Sequence, residues 1–377
     1  MKYLLLSKIL SAGLFFFMPI ANANATAPMG QQDAVDEYAQ MVFKDYNTAY
    51  EDALKLQDTV ENFLADPTEK NIEKAKKAWL VSRNSYGITE AFRFYEGPID
   101  FADAEGNEGP EGRLNAWPLD EAYIDYVQGN PKAGLVNNPG LKITKESLTD
   151  KNQADDEVEV STGYHAIEFL LWGQDLSLET AGKRPVSDYE KISENERRRT
   201  YLKVVMDLLV DDLKFLVDSW EAKEGTYARE FMKDEKALSK IMTALATLSG
   251  FELASERMAT ALDSGDQEDE HSCFSDNTHN DFIYNAKGVS NVYFKTGISN
   301  LVEKQDKNLA KKLSAQFKKT QELIESLPQP IDREILSTEE GSKPRAQMEA
   351  AIKSLQMQAD LLKEAGAVLG IEVSINK

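Results

Sequence analysis

The sequence predicts an all-α protein with two helical domains. Apolar side chains recur every three or four residues over long stretches, and no stretch shows the two-residue alternation of a half-buried strand. The chain has 377 residues, too many for one ordinary hydrophobic core, so two domains are expected. These observations together favour two helical bundles.

The first 25 residues have the pattern of an export signal. Lys2 and Lys8 give a basic start, residues 9–20 are apolar, and residues 21–25 alternate alanine with asparagine as a small-x-small cleavage site does. The apolar run is too short to remain as a membrane anchor, and no cysteine stands at the cleavage point for lipid attachment. We therefore expect an exported, soluble protein with no membrane span after cleavage, periplasmic in a Gram-negative cell.

The chain is strongly acidic, with 64 Asp and Glu against 43 Lys and Arg and a net charge of −21. This charge disfavours nucleic acid and anionic lipid and favours cations or basic partners, or it serves solubility alone. The single cysteine, Cys273, has no internal disulfide partner. It is expected to be buried, or less commonly to act as a ligand or reactive thiol.

The first helices follow from periodicity and from helix-start signals. One apolar face begins the mature chain and ends near Asp66, where Asp66-Pro67-Thr68-Glu69 predicts the start of the next helix. Gly97-Pro98 is expected to end that second helix. Its predicted inner face carries Trp79, Arg83, Tyr86, Glu90 and Arg93.

The remaining elements are predicted in the same way. Residues 97–163 are rich in turn residues, a short apolar helix ends at Gly173, and residues 174–192 form a loop. Ser193-x-x-Glu196 predicts the start of a long helix, and a second group of helices begins near Asp234, with two more over residues 300–326 and 345–368. We therefore place an N-terminal domain at residues 26–190 and a C-terminal domain at residues 191–377.

Charged residues share the second helix face with Trp79 and Tyr86. Burying unpaired charge costs several kcal/mol. Arg83, Glu90 and Arg93 therefore predict either an internal ion network or a polar cleft between domains.

A weak internal repeat supports related halves. Glu90 and Glu252 each stand on a helix before a polar loop. Each loop then carries two aspartates five positions apart, Asp120 with Asp125 and Asp276 with Asp281. Duplication would place two similar bundles face to face, with their polar loops meeting.

His165 and Glu168 form the first candidate site. At this spacing they lie side by side on a helix, and imidazole with carboxylate is a common ligand pair for iron, zinc and manganese. Alternatively, Glu168 only accepts a hydrogen bond from His165 in the core. Gly163 and the following Phe-Leu-Leu-Trp-Gly place the pair at the start of a buried helix, near a close backbone contact or a turn.

The acidic loop over residues 266–281 is the second candidate. It contains Glu268, Glu270, His271, His279 and several aspartates, and it could bind a cation through oxygen and imidazole ligands or be an ordinary solvated loop. The sequence contains neither the EF-hand spacing nor the His-Glu-x-x-His motif of zinc proteases.

At these residues the sequence resembles the imelysin-like family of exported bacterial proteins, sometimes named iron-regulated protein A. Gly163, His165 and Glu168 match its Gly-x-His-x-x-Glu motif. TEAFRFYEGPID, AWPLDEAYIDY, AGKRP, SGFELASERM and EDEHSCFSDNTHND also resemble family segments in order. The resemblance implies two modified four-helix bundles with related halves and a pocket at their interface. It also implies a link to iron uptake, while some members are classed as metallopeptidases.

Three functions remain open. The first is a non-enzymatic periplasmic protein of iron acquisition that binds iron, haem or a partner protein of the periplasm or outer membrane. The second is a zinc peptidase, and the third is an interaction module without metal. Iron or zinc would be held by His165 and Glu168, and the expected pocket residues are Gly163, Arg83, Glu90, Arg93, Trp117, Asp120, Glu252, Arg257, Cys273, Asp276, His279 and Asp281.

Overall fold

The computed structural model describes residues 30–101, 108–177 and 179–375. In these ranges the backbone is helical apart from loops and two isolated β-bridges, Phe101 with Glu108 and Val127 with Asn130. The all-α prediction is therefore confirmed. No helix in these ranges has the length and apolarity needed to cross a membrane. The predicted export signal lies outside the described residues.

Four helices pack together in the first part of the chain. They are α1 (Gln31–Ala65), α2 (Glu69–Thr89), α3 (Gly163–Trp172) and α4 (Glu196–Trp220). Helix α1 packs against α2 and α4, and α3 packs against the same two helices. Short helices at Glu111–Leu114, Glu121–Ile124 and Lys145–Thr149 lie in the connection between α2 and α3, and Tyr227–Phe231 follows α4.

Five further helices form the second part. They are α5 (Ala237–Thr247, continued by a π-helical segment at Leu248–Ala259 and by Thr260–Ser264), α6 (Thr278–Lys295), α7 (Ile298–Gln305), α8 (Lys307–Glu325) and α9 (Lys343–Leu369). Helix α9 packs on α8 and on α5 with its π-helical segment, while α6 packs on both α8 and α2. Helix α6 therefore connects the two groups of helices.

Four helix boundaries differ from the predicted ones. Helix α2 ends at Thr89, with a 3-10 turn at Glu90–Phe92 after it, and does not continue to Gly97, so Glu90 and Arg93 lie beyond the helix. Helix α2 starts at Glu69, and its N-cap is Thr68, whose side chain makes no capping hydrogen bond. The helix start predicted from Asp66 and Glu69, with Asp66 as the cap, therefore does not form. Helix α4 starts at Glu196 instead of Ser193. The predicted helix at 300–326 is interrupted at Asp306, whose carboxylate accepts the N–H groups of Asn308 and Leu309 and so caps α8.

The division of the chain into two domains at residue 190 stays a prediction. Helix α4 lies after that position but packs against α1 and α3 through buried side chains that include Leu202 and Trp220. We propose a boundary after Trp220 instead, since the apolar face of α4 completes the core of the first group.

Helix α3 is buried at every residue. It begins at Gly163, whose φ is +86°, and ends before Gly173, whose φ is +72°. A Cβ atom at Gly163 would lie 2.6 Å from the carbonyl oxygen of Leu114 and 2.7 Å from that of Arg113. The expected close backbone approach is confirmed, and it places His165 and Glu168 against the connection that follows α2.

Replacing Gly163 by alanine is expected to lower the free energy of unfolding by roughly 2–5 kcal/mol, because backbone strain adds to overpacking. Gly225→Ala is the matched control: Gly225 has φ +81°, but nothing lies within 4 Å of its added Cβ. The control should lose only about 1–2 kcal/mol of left-handed strain. Equal losses in urea unfolding would contradict the role of the close contact.

Candidate functional site

His165 and Glu168 form a buried pair on α3. A hydrogen bond of 3.0 Å joins His165 Nδ1 to Glu168 Oε2, and the two residues are 3% and 0% exposed. The other carboxyl oxygen, Oε1, accepts the backbone N–H of Ser275 at 2.9 Å and its hydroxyl at 2.6 Å. Glu168 therefore links α3 to the loop that precedes α6.

His165 lines a narrow cleft, and its second ring nitrogen is not used by the bond to Glu168. Nε2 is buried, and within the described ranges it has no hydrogen-bond partner. The cleft is also lined by Trp117, Glu268, Glu270 and His271, and its volume is about 10 Å³. That is room for roughly one water molecule. When Nδ1–H donates to Glu168, Nε2 offers a free lone pair to whatever occupies the cleft.

The acidic groups around this cleft hold their protons unusually tightly. Burial raises the pKa of Glu168 to about 8, although the hydrogen bonds from Ser275 oppose the shift. Burial also raises the pKa of Glu268 to about 7, with the charge of Glu121 adding to it, and raises that of Glu270 well above its usual range. A cation entering the cleft would release these protons and restore the carboxylates.

The two histidines beside the cleft are held neutral. Burial lowers the pKa of His165 and of His271 well below the usual value, and the positive charges of Arg83 and Arg257 lower both further. Their ring centroids are 5.2 Å apart. Neutral imidazoles are the form that binds metal ions.

Arg83 connects α2 with the acidic loop and with the start of α6. Its Nε donates to Asp281 at 3.1 Å, Nη1 donates to Asn115 at 2.5 Å, and Nη2 lies 3.1 Å from a ring nitrogen of His271. Asp281 also accepts the hydroxyl of Ser272 at 2.5 Å. Every member of this cluster is buried. The ion pair between Arg83 and Asp281 compensates the two charges inside the protein.

Arg257 forms a second buried cluster. It donates to Glu90 at 2.6 Å, to Glu252 at 2.9 Å and to Asn285 at 2.5 Å. Glu90 also accepts from Arg93 at 3.2 Å. Burial alone would raise the pKa of Glu90, but the Arg257 and Arg93 guanidinium groups lower it to about 2.

The π-helical segment explains how Glu252 and Arg257 meet. They stand five positions apart, the spacing of the π-helical hydrogen bond, and their side chains are in direct contact. Glu90, which the weak repeat matched with Glu252, contacts the same guanidinium. The charged face predicted on α2 therefore belongs to an internal ion network that continues across the contact between α2 and α6.

Other predicted pocket residues divide into two groups. Trp117 and Cys273 line the cleft, and the Trp117 ring lies 5.1 Å from that of His271. Asp120 is exposed and caps the short helix after it by accepting the N–H of Ala122. His279 donates from Nε2 to the Ile324 carbonyl at 2.8 Å, and Asp276 pairs with Arg333.

Several residues that line the cleft or bond to its surrounding side chains were not among the predicted pocket residues. His271 and Glu270 belong to the acidic loop and could have been chosen there instead of His279, but nothing in the loop pattern ranks one histidine above the other. Ser275 and Asn115 carry no sequence signal, because only the fold brings them to Glu168 and Arg83.

The spacing that a metal ion needs is met outside the cleft. Among the described residues, the one group of three potential ligand atoms within 4.8 Å of one another belongs to Asp175, Asp276 and Asp332. His165 and Glu168 are outside that group, so as the side chains stand the cleft holds no comparable set of three.

Removing the charge of Arg257 should be strongly destabilising. Arg257→Met leaves Glu90 and Glu252 without their shared partner inside the protein, and we expect a loss of about 3–5 kcal/mol in urea unfolding. Lys203→Met is the control, since its pair with Glu61 is half-exposed and is worth at most about 1 kcal/mol. Similar losses for the two variants would contradict the structural role of Arg257.

The raised pKa of Glu168 predicts a pH dependence in metal-free protein. Between about pH 4.5, where the unfolded carboxyl titrates, and pH 8, the folded state holds a proton that the unfolded state has lost. Stability from this group is therefore complete at low pH and is lost as the pH rises through that window.

Glu168→Gln should weaken this dependence. Urea unfolding in chelator at pH 5.5 and 7.5 should show a larger loss of stability for wild type than for Glu168→Gln. The exposed-site control Glu157→Gln should behave as wild type. An unchanged pH dependence in Glu168→Gln would show that Glu168 is ionised in the folded protein.

The fold and the sequence have known relatives. Over 318 residues the chain is 24% identical to iron-regulated protein A of Synechococcus elongatus, covering 79% of this chain and 76% of that protein. The crystal structure of an iron-regulated protein A precursor from Parabacteroides distasonis superposes with a TM-score of 0.68 at 16% identity, covering 90% of this chain and 97% of that one. An imelysin-like protein from Psychrobacter arcticum gives 0.65 at 16% identity, over 93% and 99%.

The family model described as imelysin, Peptidase_M75, matches residues 42–362. The match includes α2, α3, the acidic loop and both buried ion clusters. It thus covers well over half of the chain, which belongs to the imelysin family.

Proposed function

We propose that this chain is an exported, periplasmic protein of iron acquisition that binds a metal ion in the cleft beside α3, with His165 Nε2 as a ligand. The observation that carries the proposal is the buried Nε2 atom of His165, a cleft-lining residue, because this atom has no hydrogen-bond partner in the described part of the chain. Leaving such an atom unpaired costs about 1–3 kcal/mol, which a metal ligand bond would offset.

The donors around Nε2 suit iron or zinc. Glu270 Oε1 is a second buried cleft atom that the described residues leave without a hydrogen bond, and His271 and Glu268 complete a mixed nitrogen and oxygen environment. Borderline metals such as ferrous iron and zinc prefer this mixture. A cavity of about 10 Å³ favours a single ion over haem.

The relatives support iron as the metal. A protein named iron-regulated protein A matches most of the chain, and the predicted export signal at residues 1–25 agrees with a role outside the cytoplasm. A periplasmic or outer-membrane protein is the expected partner for release of the ion.

The geometry favours binding over hydrolysis. A catalytic zinc normally has three protein ligands and an open position. In the described residues, no three ligand atoms of this cleft lie within 4.8 Å of one another. Fewer fixed ligands suit a cargo ion that must be released.

Equilibrium dialysis of the mature protein against ferrous, ferric and zinc ions tests the proposal. His165→Gln should weaken binding of the preferred ion at least ~10-fold, because loss of a direct ligand should cost no less than loss of the groups that orient it. His279→Gln is the matched control, since His279 is buried but bonds to the Ile324 carbonyl.

Two results would overturn the proposal. One is equal affinity of wild type and His165→Gln for every ion tested. The other is a folded wild type that binds none of them. Circular dichroism of each variant separates loss of binding from loss of fold.

A further inference from the structure

Three aspartates from distant parts of the chain meet beside the cleft. Asp175 follows the end of α3, Asp276 lies in the loop before α6, and Asp332 lies between α8 and α9. One carboxylate oxygen of each lies within 4.8 Å of the other two. Like charges repel at this distance, so the arrangement needs either a compensating positive charge or a proton on one carboxyl group. Burial, with the charges of Asp276 and Asp332 adding to it, raises the pKa of Asp175 to about 6, so near neutral pH a cation is the stronger compensation.

Asp332 is the member of this group whose buried carboxylate is least well satisfied by its surroundings. It is 7% exposed, and neither of its oxygens makes a hydrogen bond of good geometry with a described residue. The backbone N–H groups of Arg333 and of Asp332 itself lower its pKa only in part, because burial raises it more. An ionised carboxylate in such a position is costly unless a cation or a set of donors replaces its lost water. The unpartnered oxygens belong to the group that faces Asp175 and Asp276.

Arg333 compensates part of the charge. It forms an ion pair with Asp276, and its Nη1 lies 3.3 Å from Asp332 and 3.9 Å from Asp175. Nη1 makes no hydrogen bond in the described structure, so these two contacts lack the geometry of a strong pair. One guanidinium against three carboxylates also leaves the cluster negative.

We propose that Asp175, Asp276 and Asp332 form a second cation site, separate from the cleft, that binds a hard divalent ion such as Ca²⁺. Calcium bonds oxygen at about 2.3–2.6 Å, so the oxygens around one ion lie no more than roughly 5 Å apart. The observed limit of 4.8 Å agrees with that spacing.

The ligand chemistry selects this class of ion. All three donors are carboxylates, and oxygen-only sets suit Ca²⁺, Mg²⁺ and Mn²⁺ better than zinc or copper. Magnesium requires near-ideal octahedral geometry and keeps several waters. Three carboxylates on three independent segments form a more adaptable site, which favours Ca²⁺.

The ion would fix the loop that holds Glu168. Asp276 directly follows Ser275, whose N–H and hydroxyl both bond to Glu168. Asp175 follows α3 itself. A Ca²⁺ ion would cross-link these two segments with the connection between α8 and α9, so its effect is on the rigidity of the cleft.

Calorimetric titration of Ca²⁺ into chelator-treated full-length mature protein tests the second site. Wild type should bind one Ca²⁺, and Asp332→Asn should bind it at least ~10-fold more weakly, since second-shell losses alone reach that size. Asp360→Asn is the matched control, because it removes the same charge from an exposed position on α9. Ca²⁺ at a concentration that saturates wild type should raise the Tm of wild type and of the control by more than that of Asp332→Asn.

Asp332→Asn keeps the shape of the side chain and breaks none of the hydrogen bonds described, so this variant should fold. Asp175→Asn provides a second test with the same expected loss. Equal Ca²⁺ affinity in wild type and both variants, or no heat and no Tm shift in wild type at millimolar Ca²⁺, would overturn the proposal. So would loss of Ca²⁺ binding in His165→Gln, which would assign the ion to the cleft. Failure of iron binding with intact Ca²⁺ binding would leave this second site standing.

Discussion

The buried contact between Arg257 and Glu90 is the constraint on which the arrangement of the site depends. A guanidinium and a carboxylate removed from water must find each other, because an unpaired buried charge costs several kcal/mol. Their 2.6 Å contact fixes the end of α2 against the π-helical segment of α5. Asn285 of α6 bonds both to Arg257 and to the Gly87 carbonyl, so the same cluster sets how α6 lies on α2.

When α2 and α6 are held in this way, contacts with both helices fix the position of the acidic loop. Arg83 on α2 pairs with Asp281 on α6 and lies against His271, and this closes the loop over α3. Ser275 then reaches Glu168, whose other oxygen orients His165. The cleft is therefore the space left between two ion clusters and a buried helix, and the unpartnered Nε2 atom follows from that closure.

The acidic loop contributes to both proposed cation sites through neighbouring residues. Ser275 contacts Glu168 at the cleft, while Asp276, which has a φ of +58°, turns toward Asp175 and Asp332. Glu270 is affected by both: it lines the cleft, and burial raises its pKa, with the charges of Asp332, Asp276 and Asp175 adding to the shift. A cation at either site would therefore change the electrostatic potential at the other. On this view the acidity of the loop serves binding as well as solubility.

The spacing of apolar residues and the residues typical of helix starts and ends determined the helical class, most helix positions and the burial of α3. These properties depend on residues that are close in sequence. The same patterns also placed Gly163, His165 and Glu168 at the start of that helix. They did not determine which charges would pair. Arg83 on α2 and Glu90 and Arg93 just beyond its end are close in sequence, yet Arg83 pairs with Asp281 and Glu90 with Arg257. Nor did they choose His271 over His279, or find the Asp332 contact. Those partners are far apart in the chain, and only the packing of α2, α5 and α6 brings them within hydrogen-bond distance.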